Sequence, residues 1–123
     1  MKTVTFTIEP FSESLNRFKE TYMAVQAGRH VEPQEIIGFT SLEAARNFLT
    51  RERLALLHAI KNRRPNSIYE LARMTGRDLK NVQEDIGILE RHGLVQIARR
   101  QRGSRKVKVP HVPFEEIALK IAI

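Results

Sequence analysis

The sequence predicts a mainly helical α+β fold, and three observations carry that expectation. Capping signals of the form T-x-x-E and S-x-x-E stand before apolar runs at helical spacing. Both ends of the chain alternate apolar and polar residues with the period of a strand. Two further β-like runs, 94–100 and 105–110, flank a tip at Gln101-Arg102-Gly103-Ser104, as a hairpin requires.

The elements follow in order. Val4, Phe6 and Ile8 alternate with Thr3, Thr5 and Thr7, a β-branched run ended by Pro10. Ser12 is expected to cap a helix of about four turns in which Leu15, Phe18, Tyr22 and Val25 share a stripe. With Phe11 in front, the stripe makes two heptads of a helix-pairing seam, which needs the body of the domain or another subunit to cover it. Residues 28–38 read as a loop punctuated by Gly28, Pro33 and Gly38. Thr40 and Glu43 form a capping box for a short helix ending near Leu49. Thr50 restarts the chain as an amphipathic helix with Leu54, Leu57, His58, Ile60 and Lys61, and Arg63-Arg64-Pro65-Asn66 stops it. His58 is expected to be partly buried there.

Ser67 and Glu70 open a helix of barely two turns, with Leu71 and Ala72 inward and Gly76 as a left-handed C-cap. After a short turn Asp78 caps a longer helix, with Val82, Ile86 and Leu89 on one side and Gly93 at its end. The hairpin follows. Ile117, Leu119, Ile121 and Ile123 then alternate with Glu116, Ala118, Lys120 and Ala122 as a last strand. A lone strand leaves backbone groups unpaired, so the two terminal strands are expected to pair, within or between subunits, beneath the heptad stripe.

A chain of 123 residues is one domain's worth, or one domain carrying an arm, and is long enough to bury one modest core without staples. There are no cysteines, which excludes disulfides, thiol catalysis and Cys-type metal sites. No apolar run approaches the roughly 18 residues a bilayer span needs, and MKTVTFTIEP lacks a signal-peptide core, so the expectation is a cytoplasmic protein with no membrane partner. Net charge is +7, unevenly placed. Residues 1–50 hold five Lys/Arg against six Asp/Glu, whereas 51–123 hold sixteen against eight. Six cations and no acid lie between Arg99 and Lys108, the footprint of a polyanion binder.

Helix, short helix, tight turn, longer helix and hairpin is the order of a winged helix-turn-helix. Leu89-Glu90-Arg91-His92-Gly93-Leu94-Val95 resembles the junction between recognition helix and wing in the MarR and related families. FTSLEAARNFLTRERLALLHAI followed by SIYELARMTGRDLKNVQEDIGILERHGLV resembles small MarR-like winged-helix regulators of the predicted antitoxin type. That resemblance covers about residues 38–123. It implies sequence-specific double-stranded DNA binding and transcriptional repression. It implies, as an alternative, an antitoxin that neutralises a toxin protein through its arm and autoregulates its operon. Gln83, Gly87 and an unusually basic wing depart from the pattern, and Gly87 costs roughly 1 kcal/mol of helix propensity. The corresponding division is a strand–helix arm at 1–38, for dimerisation or partner binding, and a DNA-binding domain with a C-terminal strand at 39–123.

In such a fold the second helix of the motif, 78–92, enters the major groove. The expected base-reading residues are Arg77, Lys80, Asn81, Gln83 and Glu84: Arg suits guanine, Asn and Gln adenine, and Glu cytosine. Arg99, Arg100, Arg102, Arg105, Lys106 and Lys108 of the wing, 95–110, suit phosphates or a minor groove. A homodimer is expected to present two such helices. A ribbon-helix-helix reader built on the first strand is disfavoured by the near-neutral charge of that half. His30, His58, His92 and His111 have no metal-ligand spacing, and Asp78, Glu84 and Asp85 read as a cap, a helix face and a local ion-pair group. No catalytic set, cofactor or metal is therefore expected, and the chain is not expected to be an enzyme.

Overall fold

The computed structural model describes residues 2–31 and 35–123. Pro33, read as loop punctuation, lies outside the described residues. The fold is α+β, with helices and strands in the order β1 (Thr3–Ile8), α1 (Phe11–Gln26), β2 (Ile36–Phe39), α2 (Leu42–Phe48), α3 (Arg51–Arg63), α4 (Ile68–Thr75), α5 (Leu79–Arg91), β3 (Gln96–Arg102), β4 (Arg105–His111) and β5 (Glu116–Ile121). The chain divides into two compact units, Met1–Phe48 with Glu116–Ile123, and Leu49–Glu115. The sequence pattern ends the arm at residue 38 and keeps the last strand with the second domain. Here that strand hydrogen-bonds along β1, and backbone pairing carries it into the first unit. Among the described residues no helix is long and apolar enough to cross a membrane.

The first unit is a parallel sheet in the order β2-β1-β5. β1 is central, so its pleat sets the two faces. Val4, Phe6 and Ile8 stand in register with Ile117, Leu119 and Ile121 on one side, and Phe6 and Ile8 with Ile37 and Phe39 on the other. That face is the apolar one. Phe48 of α2 closes it, with ring centroids 5.9 Å from Phe6 and 5.6 Å from Phe39. The opposite face carries Thr3, Thr5 and Thr7 and borders a groove of about 900 Å³ reached by Arg17 and Lys120.

Four local expectations are corrected in this unit. Residues 36–38, expected as loop, form β2 together with Phe39, because β1 offers them a ladder, beginning where the Thr5 amide donates to the Glu35 carbonyl at 2.8 Å. Ser12 does not cap α1. The cap position is Pro10, whose fixed φ of −60° already suits a helix entry, and the helix starts at Phe11. The cap of α2 is Ser41 rather than Thr40, its Oγ accepting the Ala44 amide at 3.0 Å. No residue of α1 is buried, so the seam of Phe11, Leu15, Phe18, Tyr22 and Val25 does not cover the terminal strands.

Where β1 meets α1, Glu9 accepts from Arg17 at 2.6 Å and from Ser14 at 3.0 Å. The Arg17 hydrogen bond, reinforced by Ser14 and Thr7 against the opposing effect of burial, holds the Glu9 carboxyl below the ordinary glutamate range. A folded value below the unfolded one contributes stability above the unfolded value, and that contribution is lost as pH falls through the folded one. A carboxyl-detected NMR titration is expected to find Glu9 titrating below the ordinary glutamate range and returning toward it in Arg17→Ala. Identical midpoints in the two proteins would remove Arg17 as the cause.

The second unit packs α3, α4 and α5 around Leu56, Leu57, Ile60, Leu71, Val82, Ile86 and Leu89, with Leu94, Val95, Val109 and Phe114 carrying the core toward the hairpin. Its helices start where their caps stand. Thr50 Oγ1 accepts the Arg53 amide at 3.1 Å, Ser67 Oγ the Glu70 amide at 3.0 Å, and Asp78 Oδ2 the Asn81 amide at 3.2 Å. The buried side of α3 is Leu56, Leu57, Ala59 and Ile60; Leu54 and His58 are exposed, a correction to the expected stripe. The reason is tertiary, since α4 and α5 choose which face of α3 they meet.

Candidate nucleic-acid interface

Gly76 ends α4 at φ 65°, a left-handed conformation that costs glycine nothing and lets the chain reverse within the few residues before Asp78 opens α5. Ala72, buried against its neighbours, adds no bulk where α4 and α5 approach. Val82, Ile86 and Leu89 then commit one side of α5 to the core. By the helical period, Lys80, Asn81, Gln83 and Glu84 occupy the opposite arc, and all four are exposed. Among the described residues none of them has an ion-pair partner.

Arg77 stands apart from this group. Its Nη2 donates to Asp85 Oδ2 at 2.8 Å, while Arg53 Nε of α3 donates to Asp85 Oδ1 at 3.1 Å. All three side chains are largely withdrawn from solvent. Arg77 therefore serves the junction of α3, the turn and α5 instead of an outward reading face, and its place among the base-reading candidates is corrected. Asp85 is an ion-pair group, as its position beside the core face suggested.

Helical spacing adds one more outward residue beyond the first turns of α5. Arg91 is exposed and follows Lys80, Glu84 and Gly87 along one line of α5. The intervals of four, three and four in the sequence were the available signal. A Cβ at Gly87 would meet only the Arg91 guanidinium, at 4.0 Å. Gly87→Ala is thus expected to raise stability by about 1 kcal/mol. Chemical denaturation measures it, and a loss of stability would mean that the outer face of α5 is tighter than its open surroundings indicate.

The first strand of the hairpin runs two residues further toward the tip, to Arg102, than its sequence suggests. Arg102 pairs with Arg105 across a Gly103-Ser104 turn in which Gly103 takes φ 60°. Paired residues of an antiparallel ladder share a face, and successive ones alternate. Arg100, Arg102 and Arg105 therefore lie on one face with Val107, and Arg99, Lys106 and Lys108 on the other with Gln101. Two pairs, Arg99 with Lys108 and Arg102 with Arg105, set like charges directly opposite, each a local destabilisation of roughly 0.2–1 kcal/mol. All six cations are exposed, and among the described residues none is ion-paired. At the base of the hairpin Arg100 shares a groove of about 300 Å³ with Lys61, Arg64 and His111. Arg64, read from sequence only as part of a helix stop, adds a further exposed cation there.

The pattern of the HVO_A0114 family matches residues 48–119, more than half of the chain. The chain belongs to the HVO_A0114 family. No curated protein and no solved structure matches it. In this HVO_A0114 member the matched span takes in α3, α4, α5 and the whole hairpin, and continues into β5. It therefore includes every charged group described at the hairpin and on α5. β1, α1 and β2 precede it.

Proposed function

We propose that the second unit is a winged helix-turn-helix, of the kind found in MarR-like regulators, that binds double-stranded DNA in a sequence-specific manner and represses transcription. The observation that carries this reading is the acid-free hairpin. It holds six exposed cations, two pairs of them directly opposed, and follows in the chain a helix whose outward residues Lys80, Asn81, Gln83 and Glu84 are exposed. Local repulsion of this kind is relieved when a polyanion lies against it, because phosphates replace the missing counter-charges and release condensed ions. On this reading α4 and α5 are the two helices of the motif, and α5 enters the major groove. Lys80, Asn81, Gln83 and Glu84 meet base edges, with Arg91 farther along, and the hairpin follows the backbone or the minor groove.

Selection of bound duplexes from a random pool, followed by fluorescence anisotropy on the enriched site, tests the proposal. An enriched motif and an affinity that falls steeply with salt are the expected results. A pool that stays random, or binding indifferent to salt, would overturn it. Within the selected site Asn81→Ala is expected to cost about 1–3 kcal/mol and to relax preference at one base pair, since a bidentate amide–adenine contact is lost. Equal losses on the selected site and on random DNA would assign Asn81 to the backbone.

A further inference from the structure

The apolar seam of α1 is left open by the fold. Phe11 and Phe18 are 69% and 68% exposed, Tyr22 and Val25 more than half, and no residue of this 16-residue helix is buried. A helix of that length is marginal in water unless an apolar face is packed. The seam is continuous, with intervals of four, three, four and three from Phe11 to Val25, the spacing by which one helix meets another.

We propose that α1 pairs with α1 of a second copy of this chain, making the first unit a dimerisation module. Two arguments choose this occupant. The first is area. Counting about 200 Å² for a full aromatic side chain, the exposed fractions along the seam amount to roughly 500 Å². A standard interface buries about 800 Å² per partner, somewhat more than half of it apolar, so one seam supplies the apolar share of one side. The second is charge. Glu13 and Glu20 balance Arg17 and Lys19 along α1, and the positions flanking the seam are Ser12, Ser14, Lys19, Thr21 and Gln26. Such a face neither repels its own copy nor selects a strongly charged partner. The inference stands on the first unit alone and holds whether or not the second unit reads DNA.

Light scattering on the full chain across the micromolar range tests it without DNA. The expected mass is that of two chains, falling to one in Phe18→Glu. Asn16→Glu, which places the same residue on the exposed helix off the seam, is expected to stay dimeric. Amide hydrogen exchange on the unaltered protein gives an independent reading, with α1 amides gaining protection as concentration rises. A monomeric mass at every concentration overturns the proposal and returns the seam to a different protein. A dimer that survives Phe18→Glu, or one whose α1 amides exchange as fast as in dilute protein, overturns it in favour of another contact.

Discussion

Replacing Arg99, Arg102, Arg105 and Lys108 together by Gln is expected to weaken binding to every duplex by up to about a thousandfold near physiological salt. Each phosphate contact contributes roughly 0.9 to the slope of log affinity against log salt, so four lost contacts flatten it by up to about 3.6. Sequence preference should persist, because the exposed arc of α5 is untouched. Stability should move the other way. Arg99 opposes Lys108 and Arg102 opposes Arg105, and neutralising both pairs relieves roughly 0.2–1 kcal/mol each. Weaker binding with an equal or higher melting temperature separates a functional charge cluster from a structural one. The two pairs lie on opposite hairpin faces, so exchanging each pair alone identifies the face that meets the duplex. An unchanged salt slope in both would remove the hairpin from the interface.

The second large effect is expected at Asp85. Its two oxygens accept from Arg53 and Arg77, and Arg77 Nη1 is already buried with no hydrogen-bond partner among the described residues. Asp85→Ala leaves both guanidinium groups without the anion that compensates their desolvation. Breaking a fully buried pair costs about 3–5 kcal/mol, whereas an exposed pair is worth about 0–1. The three side chains retain some contact with water, which places the expected loss at about 2–4 kcal/mol. Denaturant unfolding with an unchanged m-value measures it. Asp85→Asn keeps one acceptor and should lose less. A change below about 0.5 kcal/mol in Asp85→Ala would mean that Coulomb attraction and desolvation cancel here.

Much of the second unit was legible because its signals are local. Thr50, Ser67 and Asp78 cap helices through side chains that reach amides three residues on, and such bonds depend on little else. Gly76 stands at a positive φ, and Val82, Ile86 and Leu89 repeat at the helical period, so the turn and the core face follow from spacing. The exposed positions on α5 and the cations of the hairpin were legible for the same reason. The role of Arg77 is not legible from spacing because it depends on Asp85, 8 residues away, and on Arg53, which lies 32 residues before Asp85 in the chain.

What the amino-acid order by itself determined was the set of elements with local instructions: a terminal strand of alternating residues, three capped helices, a hairpin and a concentration of positive charge. Tertiary structure alone decided where non-local pairing would act. Ile36–Phe39 shows no alternation and becomes a strand only because β1 offers it a ladder. β5 announces a strand but not a partner, and its parallel register with β1 joins residues more than a hundred positions apart. The periodicity of α1 declares an apolar face without saying what covers it, and the fold leaves that face open. Capping and periodicity act over three or four residues, whereas strand partners and buried faces are chosen by packing between segments that the chain order keeps apart.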